Sequence, residues 1–242
     1  MYHSVYDLKD FYASHPGRLV RRLLTDHIRK MWPDLRGQRL MGYGYAPPYL
    51  RALMEGTERS FAVMPAGGGA HTWPEGEANL ACLSPESQLP VETESVDRIL
   101  MVHGLEYAGS PQDVLHEMWR VLKSNGRLLM IVPSRRGFWA RADWTPFGHG
   151  TPYTASQISH YLQESLFVHE RTEKALYMPP FRSFFVLRTA YAFENLGRGI
   201  FPGLSGVHLI EASKQVYAPS SGLKQAARAG GRRYAVRAVP TS

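Results

Sequence analysis

Short apolar runs alternate with helical segments through the first half of this 242-residue chain, and this alternation is the feature that most constrains its fold. Five runs have the length and apolar content of buried strands. They cover residues 38–41, 61–64, 80–83, 99–103 and 128–132, with helical periodicity over 48–55 and 114–123. Such an order predicts an α/β fold with a doubly wound, Rossmann-like, mostly parallel sheet.

The remaining segments extend this architecture at both ends. Apolar residues recur at helical spacing from Val5 to Met31, so residues 1–33 are predicted to form an N-terminal helical cap. Three consecutive glycines, at 67–69, predict a loop instead of a helix between the second and third strands. After a loop at 133–153 we expect a helix capped by Thr154 or Ser156, a strand at 168–177, an apolar helix at 184–195 and a last strand at 207–217. One domain over residues 1–217 is expected.

The net charge of +7 is distributed unevenly along the chain. No acidic residue follows Glu211, whereas residues 212–242 contain six lysines and arginines. We therefore predict a basic C-terminal tail at 218–242. A solvated chain end is typical of this Ala-, Gly- and Ser-rich composition, and an arm that binds nucleic acid is the alternative.

The single cysteine, Cys82, cannot form a disulfide within the chain, which is typical of a reducing compartment. No stretch approaches the ~20 uninterrupted apolar residues of a membrane span. The first twenty residues also lack the apolar block of a signal peptide. We predict a cytoplasmic protein that does not bind a membrane.

The first chemical motif is Gly42-Tyr43-Gly44, where the first strand runs into a helix start at Pro47. Glycines at such a turn allow a ligand to approach the backbone closely, although a tight turn without a ligand has the same pattern. A nicotinamide dinucleotide site is disfavoured, because Pro47 takes the third glycine position and no carboxylate follows the second strand.

A second motif is more specific. It contains Leu89-Pro90 and Ser95-Val96-Asp97, and it continues as Glu117-Met118-Trp119-Arg120-Val121-Leu122-Lys123-Ser124-Asn125-Gly126-Arg127-Leu128. This succession resembles the class I S-adenosylmethionine-dependent methyltransferases (type 11), in which an L-P loop and an S-F-D strand precede an E-x-x-R-V-L-K-P-G-G-R-L segment. The resemblance covers residues 38–133. It implies the methyltransferase fold, and S-adenosylmethionine as the cofactor.

The resemblance also implies where the cofactor would bind. Residues at the ends of the first four strands would surround it, with the glycine motif under its methionine part and the end of the fourth strand beside the reactive sulfur. Carried over position by position, the implied cofactor-binding residues are Gly42, Tyr43, Gly44, Pro65, Ala66, Leu83, Ser84, Glu86, His103 and Leu105.

This sequence departs from the family pattern at three carboxylates. Leu40 stands where an acid precedes the first glycine, and Pro65 lies where an acid binds the ribose hydroxyls. The acid beside adenine is also missing, although Glu86 is one residue from its place. Each carboxylate would contribute charge-assisted hydrogen bonds of about 1.5–3 kcal/mol, so the departures predict weak binding or binding through backbone groups.

Two of the ten histidines are the predicted catalytic bases. His103 ends the fourth strand, where open α/β sheets bind their ligands. His149 lies in the long loop 133–153, and we predict that residues 147–153 close over the substrate as a lid. A hydroxyl or protonated amine acceptor would need such a base, whereas a carboxylate would not. No two histidines lie within four residues of each other, so no metal site is predicted.

S-adenosylmethionine-dependent methyl transfer to a small-molecule acceptor is the function that the resemblance implies. The alternative is a methyltransferase-fold binding or regulatory protein with weak or lost cofactor binding, which the three missing carboxylates favour. A protein partner, and nucleic acid bound through the basic tail, are further partner classes left open by the sequence.

Overall fold

The computed structural model describes residues 4–181 and 203–215, together with Glu194, Leu196, Gly197 and Gly199. The predicted basic tail, nearly all of the predicted helix at 184–195 and the last two residues of the predicted strand at 207–217 lie outside the described residues. Within the described part of the chain, no helix is both long enough and apolar enough to cross a membrane.

A seven-stranded sheet forms the centre of the described structure, with the strand order β3-β2-β1-β4-β5-β7-β6. The strands are β1 (Arg39–Gly44), β2 (Arg59–Pro65), β3 (Ala81–Ser84), β4 (Val96–Val102), β5 (Leu122–Pro133), β6 (Phe167–Ala175) and β7 (Val207–Lys214). The first five pair in parallel, whereas β7 is antiparallel to both β5 and β6. The predicted doubly wound, mostly parallel sheet is therefore confirmed.

Helices cover both faces of the sheet. They are α1 (Val5–Ala13), α2 (His15–Met31), α3 (Pro47–Leu50), α4 (Pro111–Val121) and α5 (Ala155–Glu164). The first three pack on one face with Leu40, Met64 and Leu100, and the last two pack on the other with Met41 and Ile99. Alternate strand residues enter opposite cores because successive side chains of a strand point to opposite faces.

Local sequence signals account for the helix boundaries. Ser4 and Ser14 accept backbone hydrogen bonds as the N-caps of α1 and α2. Thr154 and Gln157 form a reciprocal capping box at the start of α5, which confirms Thr154 as the predicted cap. The two N-terminal helices lie within the predicted helical cap at 1–33.

Two boundaries differ from the sequence predictions. The helix predicted at 48–55 is a single turn, α3, because tighter bonds such as Leu53 N to Leu50 O return the chain quickly to β2. The strand predicted at 128–132 begins at Leu122 and carries an interruption in its pairing with β4. Asn125, with φ of 64°, forms a left-handed turn inside that interruption. The loop predicted between β2 and β3 is confirmed, since only a short 3₁₀ turn, Ala66–Gly68, lies there.

Candidate functional site

The strand order reverses between β1 and β4, and ligands of open α/β sheets bind beyond the carboxyl ends of the strands at such a point. At this edge the described residues enclose a small cavity of about 30 Å³, which we name the residual cavity. Val5 and Leu8 of α1 form part of its wall. The sheet side of the wall consists of Gly44, Tyr45, Met64, Pro65, Gly68, Gly69, His103 and Tyr107.

A chain of four buried polar side chains adjoins the residual cavity. His103 Nδ1 lies 3.0 Å from Glu106 Oε1, and His103 Nε2 lies 2.8 Å from the Tyr12 hydroxyl. The Tyr49 hydroxyl in turn donates to the Tyr12 hydroxyl over 2.9 Å. We name these four residues the histidine cluster. It joins α1, α3 and the segment after β4 through side-chain hydrogen bonds.

The direction of these hydrogen bonds fixes the histidine tautomer. Because the Tyr12 oxygen accepts the hydrogen bond from Tyr49, its own hydroxyl donates to His103 Nε2. The Nδ1–H group of His103 then donates to Glu106. Burial raises the pKa of Tyr12 well above its ordinary value, and Tyr49 raises it further. Tyr12 therefore remains a neutral donor, and Nε2 of His103 is a proton acceptor.

Glu106 holds a carboxylate in an enclosed position. Its side chain is fully buried, and Oε2 has no hydrogen-bond partner among the described residues. A buried unpaired carboxylate oxygen is costly unless a nearby positive charge compensates it. The His103 Nδ1–H is the hydrogen-bond donor to this carboxylate, so the pair has the geometry of an acid that orients an imidazole.

The backbone at His103 is unusual for a residue with a side chain. Its φ of 49° is in the left-handed region, which turns the chain sharply at the end of β4 and directs the imidazole towards α1. Strained conformations of this kind persist where surrounding structure holds them, and they concentrate at functional sites.

The loop after β5 packs against the same cluster. The Phe147 ring centroid lies 4.8 Å from that of His103, and the Thr151 amide donates to the Glu106 carbonyl oxygen over 2.8 Å. The His149 side chain instead contacts the carbonyl oxygen of Asp143 through Nε2 at 2.6 Å. The structure therefore brings part of the predicted lid to His103, while the lid role and the catalytic role of His149 stay predictions.

The two glycines of the first motif have internal packing roles. A Cβ at Gly42 would lie 2.6 Å from Leu50 Cδ1, so this glycine allows α3 to sit closely on β1. Gly44 has φ of 76°, and a Cβ there would lie 2.3 Å from the Val102 carbonyl oxygen. Both close approaches are made by the protein itself.

The other predicted cofactor residues are dispersed along the strand ends. Tyr43 packs in the core on the opposite face of the sheet, and its buried hydroxyl has no partner among the described residues. Ala66 begins the turn after β2, and the Leu105 carbonyl oxygen accepts from Tyr153. Only Gly44, Pro65 and His103 of the predicted set line the residual cavity.

The predicted adenine side is formed by the end of β3 and the turn after it. Leu83 is half exposed, and the Ser84 hydroxyl donates to the carbonyl oxygens of Pro85 and Gln88. Glu86 accepts a hydrogen bond from the Gly109 amide over 3.1 Å. The Ser84 hydrogen bonds are therefore local to the turn, whereas that of Glu86 connects the turn to the segment before α4.

S-adenosylmethionine does not fit this arrangement. Pockets for ligands of this size have volumes of roughly 300–1,000 Å³, whereas the residual cavity measures about 30 Å³. The space is limited by Val5 and Leu8 of α1, and the end of β2 offers Met64 and Pro65 in place of a carboxylate for the ribose.

Three members of the histidine cluster were not predicted from the sequence. Glu106 follows His103 by three residues, so an acid just beyond a strand-end histidine was an available signal. Tyr12 lies 91 residues from His103 in sequence, and no local pattern connects them. Tyr49 follows the two prolines of α3, and its partner Tyr12 is 37 residues away.

Comparison with known proteins agrees with the fold. Residues 42–130 match a family model described as a methyltransferase domain, and no curated protein matches the chain. A methyltransferase of Haloferax volcanii, solved in complex with the Trm112 methyltransferase activator, is similar with a TM-score of 0.62 and 17% identity over 89% of this chain and 100% of that one.

Two further solved structures have the same fold. A Thermotoga maritima methyltransferase, described as a possible histamine N-methyltransferase, has a TM-score of 0.59 and 14% identity over 87% of this chain and 95% of that one. The [4+2]-cyclase SpnF has a TM-score of 0.55 and 19% identity over 81% of each chain. Methyltransferases of this kind use S-adenosylmethionine. Residues 42–130 of the chain therefore match a methyltransferase domain and the whole sheet has the methyltransferase fold, which confirms the resemblance seen in the sequence.

Proposed function

We propose that this protein transfers a methyl group from S-adenosylmethionine to a small-molecule acceptor, with His103 as the base. The observation that carries the proposal is the buried pair of His103 and Glu106 at the switch point of a methyltransferase fold. Because the residual cavity does not admit the cofactor, the proposal requires this end of the sheet to open. A cytoplasmic location is part of the proposal, supported by the single cysteine.

The two side chains have separate roles in this proposal. His103 would take a proton from a hydroxyl or amine acceptor at Nε2, because Nδ1 is already committed to Glu106. Glu106 would hold the imidazole in that tautomer and stabilise the imidazolium that forms. Glu106 is thus a positioning residue in this proposal, and His103 is the group that touches the acceptor.

Burial of the base supports a small acceptor. His103 is only 4% exposed, and Phe147 and Tyr12 lie against its ring. A folded protein or a nucleic acid duplex could not bring a reacting atom to this depth without large displacement of the surrounding elements. A small molecule needs only a local opening.

The cofactor site proposed here keeps the residues predicted from the family motif. Gly44, Pro65 and His103 line the residual cavity, and they are the positions that an enlarged cavity would present first. Glu86, which lies beyond the end of β3, remains the proposed group on the adenine side. His149 remains a second proposed base, carried by the loop that packs on His103.

The test combines binding with transfer. Titration calorimetry with S-adenosylmethionine and S-adenosylhomocysteine measures whether the donor binds, and labelled donor incubated with a size-fractionated cell extract reports the acceptor class. We expect heat of binding and label in the fraction of small molecules. His103→Ala should abolish the labelling, whereas His160→Ala, which alters an exposed histidine of α5, should leave it intact.

Two results would contradict this proposal in different ways. Label that enters the macromolecular fraction would exclude the small-molecule acceptor while leaving methyl transfer in place. Absence of binding heat with both ligands would favour the alternative, a binding or regulatory protein with lost cofactor binding. The residual cavity of about 30 Å³ is the observation that favours that alternative. SpnF, described as a [4+2]-cyclase, has the same fold, so the fold by itself does not fix the reaction.

A protein partner is a separate proposal, supported by the Haloferax structure, which is a complex with an activator. The edge strand β3 offers a surface for it, since Leu83 is 50% exposed there. A cavity of about 750 Å³ adjoins the same strand and includes Phe61, Cys82 and Val91 in its wall. Edge strands with exposed apolar side chains are ready sites for pairing with another chain.

Site-specific photo-crosslinking in cells tests that surface. A photoreactive residue in place of Leu83 should yield one discrete adduct. The same residue in place of Leu166, which is exposed just after α5, should not. Identical crosslinking patterns at the two positions would contradict a partner at β3.

A further inference from the structure

Helix α1 lies across the position at which the fold would admit a cofactor. Four of its nine residues are buried, Val5, Leu8, Phe11 and Tyr12, and they form the face that points to the sheet. Val5 and Leu8 line the residual cavity, and Val5 Cγ1 is 3.7 Å from the Cβ position of Gly69. The helix therefore fills space that a ligand at the strand ends would need.

The same helix also engages the base. The Tyr12 hydroxyl donates to His103 Nε2, which is the nitrogen that the proposed reaction needs free. The Tyr12 ring stacks on Tyr45 at a centroid distance of 5.7 Å, next to the first glycine turn. Helix α1 thus closes the residual cavity, and its Tyr12 hydroxyl also occupies Nε2 of His103.

The attachment of α1 to the sheet is mostly apolar. Tyr12 makes the side-chain hydrogen bonds described between α1 and the strand ends, to His103 and to Tyr49. Its outward face carries Tyr6, Lys9 and Asp10, all exposed, and Lys9 pairs with Glu75 at 3.7 Å on the surface. Exposed ion pairs contribute little, so the buried hydrogen bonds of Tyr12 are polar contacts that favour the closed position.

A hinge for movement lies between α1 and α2. Ser14 ends α1 in an extended conformation and caps α2, so the two helices are separate units. Gly17 allows α2 to approach the end of α1, since a Cβ there would clash with the Phe11 carbonyl group. Movement of α1 at this junction would open its contact with Gly17 and leave the buried face of α2 on the sheet.

We propose that α1 is a gate that competes with S-adenosylmethionine for the cleft, and that its displacement both admits the cofactor and frees Nε2 of His103. This inference rests on the proposed function. A ligand that binds only the open form has its apparent affinity reduced by the fraction of molecules that are open. Weakening the closed form must therefore tighten binding.

The experiment measures S-adenosylhomocysteine binding by titration calorimetry in the full chain and in three variants. Tyr12→Phe removes the hydroxyl from His103, and Leu8→Ala shortens a side chain in the cavity wall. Tyr6→Phe is the matched control, because it removes a hydroxyl from an exposed tyrosine of the same helix. Hydrogen exchange of the α1 amides, with and without ligand, follows the helix directly.

We expect Tyr12→Phe to tighten the dissociation constant about tenfold, the equivalent of one lost hydrogen bond in the closed form. Leu8→Ala should tighten it in the same direction, and Tyr6→Phe should match the unaltered protein. Ligand should accelerate exchange of the α1 amides in the unaltered protein. Leu8→Ala decides the question if Tyr12→Phe fails to fold.

Two outcomes would overturn the gate, and they differ in what else they exclude. Equal affinities in all four proteins, with α1 exchange unchanged by ligand, would mean that the cofactor binds with α1 in place. The gate would then be wrong while methyl transfer stands. No binding to any of the four proteins would exclude the proposed function as well as the gate.

Discussion

The pKa values of several buried side chains in this protein are set by burial more than by neighbouring charge. Burial raises the pKa values of Tyr12, Tyr45 and Tyr49, which keeps these tyrosines near the strand ends neutral. Burial also lowers the pKa of His208 in β7 to about 4, with Lys174 contributing in the same direction. The tyrosines serve as neutral donors or packing groups, whereas His208 is a neutral imidazole in the core.

His208 predicts acid sensitivity of the fold. Its folded pKa of about 4 is below the ordinary value of 6.5, so the unfolded chain takes up a proton that the folded protein does not. The contribution of His208 to the free energy of unfolding should therefore be constant above about pH 6.5. It should fall as the pH drops from there towards 4. Between pH 8 and pH 5 the loss should be about 2 kcal/mol in the free energy of unfolding.

Urea unfolding at these two pH values checks the His208 prediction. His208→Gln should remove most of the difference that this residue contributes, because glutamine does not titrate. His160→Ala, at an exposed position, should retain it. An unchanged pH dependence in His208→Gln would assign the acid sensitivity to other groups.

Gly44 predicts a strong backbone effect at the residue scale. Gly44→Ala would place a Cβ 2.3 Å from the Val102 carbonyl oxygen at a φ of 76°. Left-handed strain and overpacking together should cost about 2–5 kcal/mol. Gly109→Ala, which would meet nothing within 4 Å, should change stability by less than about 1 kcal/mol. Chemical unfolding of the two variants provides the comparison, and similar losses would contradict the packing role of Gly44.

At the scale of elements, one buried carboxylate ties α2 to the sheet. Glu211 of β7 accepts a 2.7 Å hydrogen bond from the Trp32 indole at the end of α2. It also pairs with Arg171 of β6 at 2.8 Å and with Arg127 of β5 at 3.3 Å. A single side chain therefore joins three strands and the C-terminus of a helix.

Glu211→Gln should destabilise the protein by about 2 kcal/mol, because it weakens hydrogen bonds between charged groups at a buried position. Glu164→Gln is the matched control, since Glu164 pairs with His160 on the surface of α5 and should change stability by less than about 0.5 kcal/mol. Thermal unfolding of the Glu211→Gln and Glu164→Gln variants measures the two losses of stability. If Glu211→Gln lost no more stability than Glu164→Gln, the role of Glu211 in holding α2 to the sheet would be contradicted.

At the scale of the whole molecule, charge and fold are separated along the chain. Among the described residues the last strand ends at Lys214, while most of the net charge of +7 lies in residues 212–242. Lys214 is buried in β7, whereas the other five basic side chains lie in residues 219–242, which we expect to be unnecessary for the packing of the sheet. The excess charge then bears on partners and not on the sheet.

Truncation after Ala218 should leave the melting temperature unchanged within about 2 °C. The same truncation should reduce the affinity for nucleic acid and flatten its dependence on salt, because it removes five of the six basic side chains in 212–242. Fluorescence anisotropy with a labelled oligonucleotide at several salt concentrations measures the slope. A melting temperature lowered by several degrees would show that the tail packs on the domain.

The sequence by itself determined the strand–helix order, the loop between β2 and β3, and the methyltransferase resemblance. These follow from short-range signals, such as period-2 and period-3.6 apolar patterns and the glycines of turns, which each residue expresses through its near neighbours. The place of His103 at the end of β4 was predicted in the same way, because a strand end is visible in sequence.

The tertiary structure decided which atoms pack against the carboxyl ends of the strands. The glycines at 42 and 44 have the spacing of a ligand cradle, yet the atoms that approach them belong to Leu50 and Val102. Tyr12 meets His103 across 91 residues because α1 folds back over the sheet. Such contacts depend on where whole helices come to rest, and helix placement is set by the summed burial of many side chains, which no local pattern records.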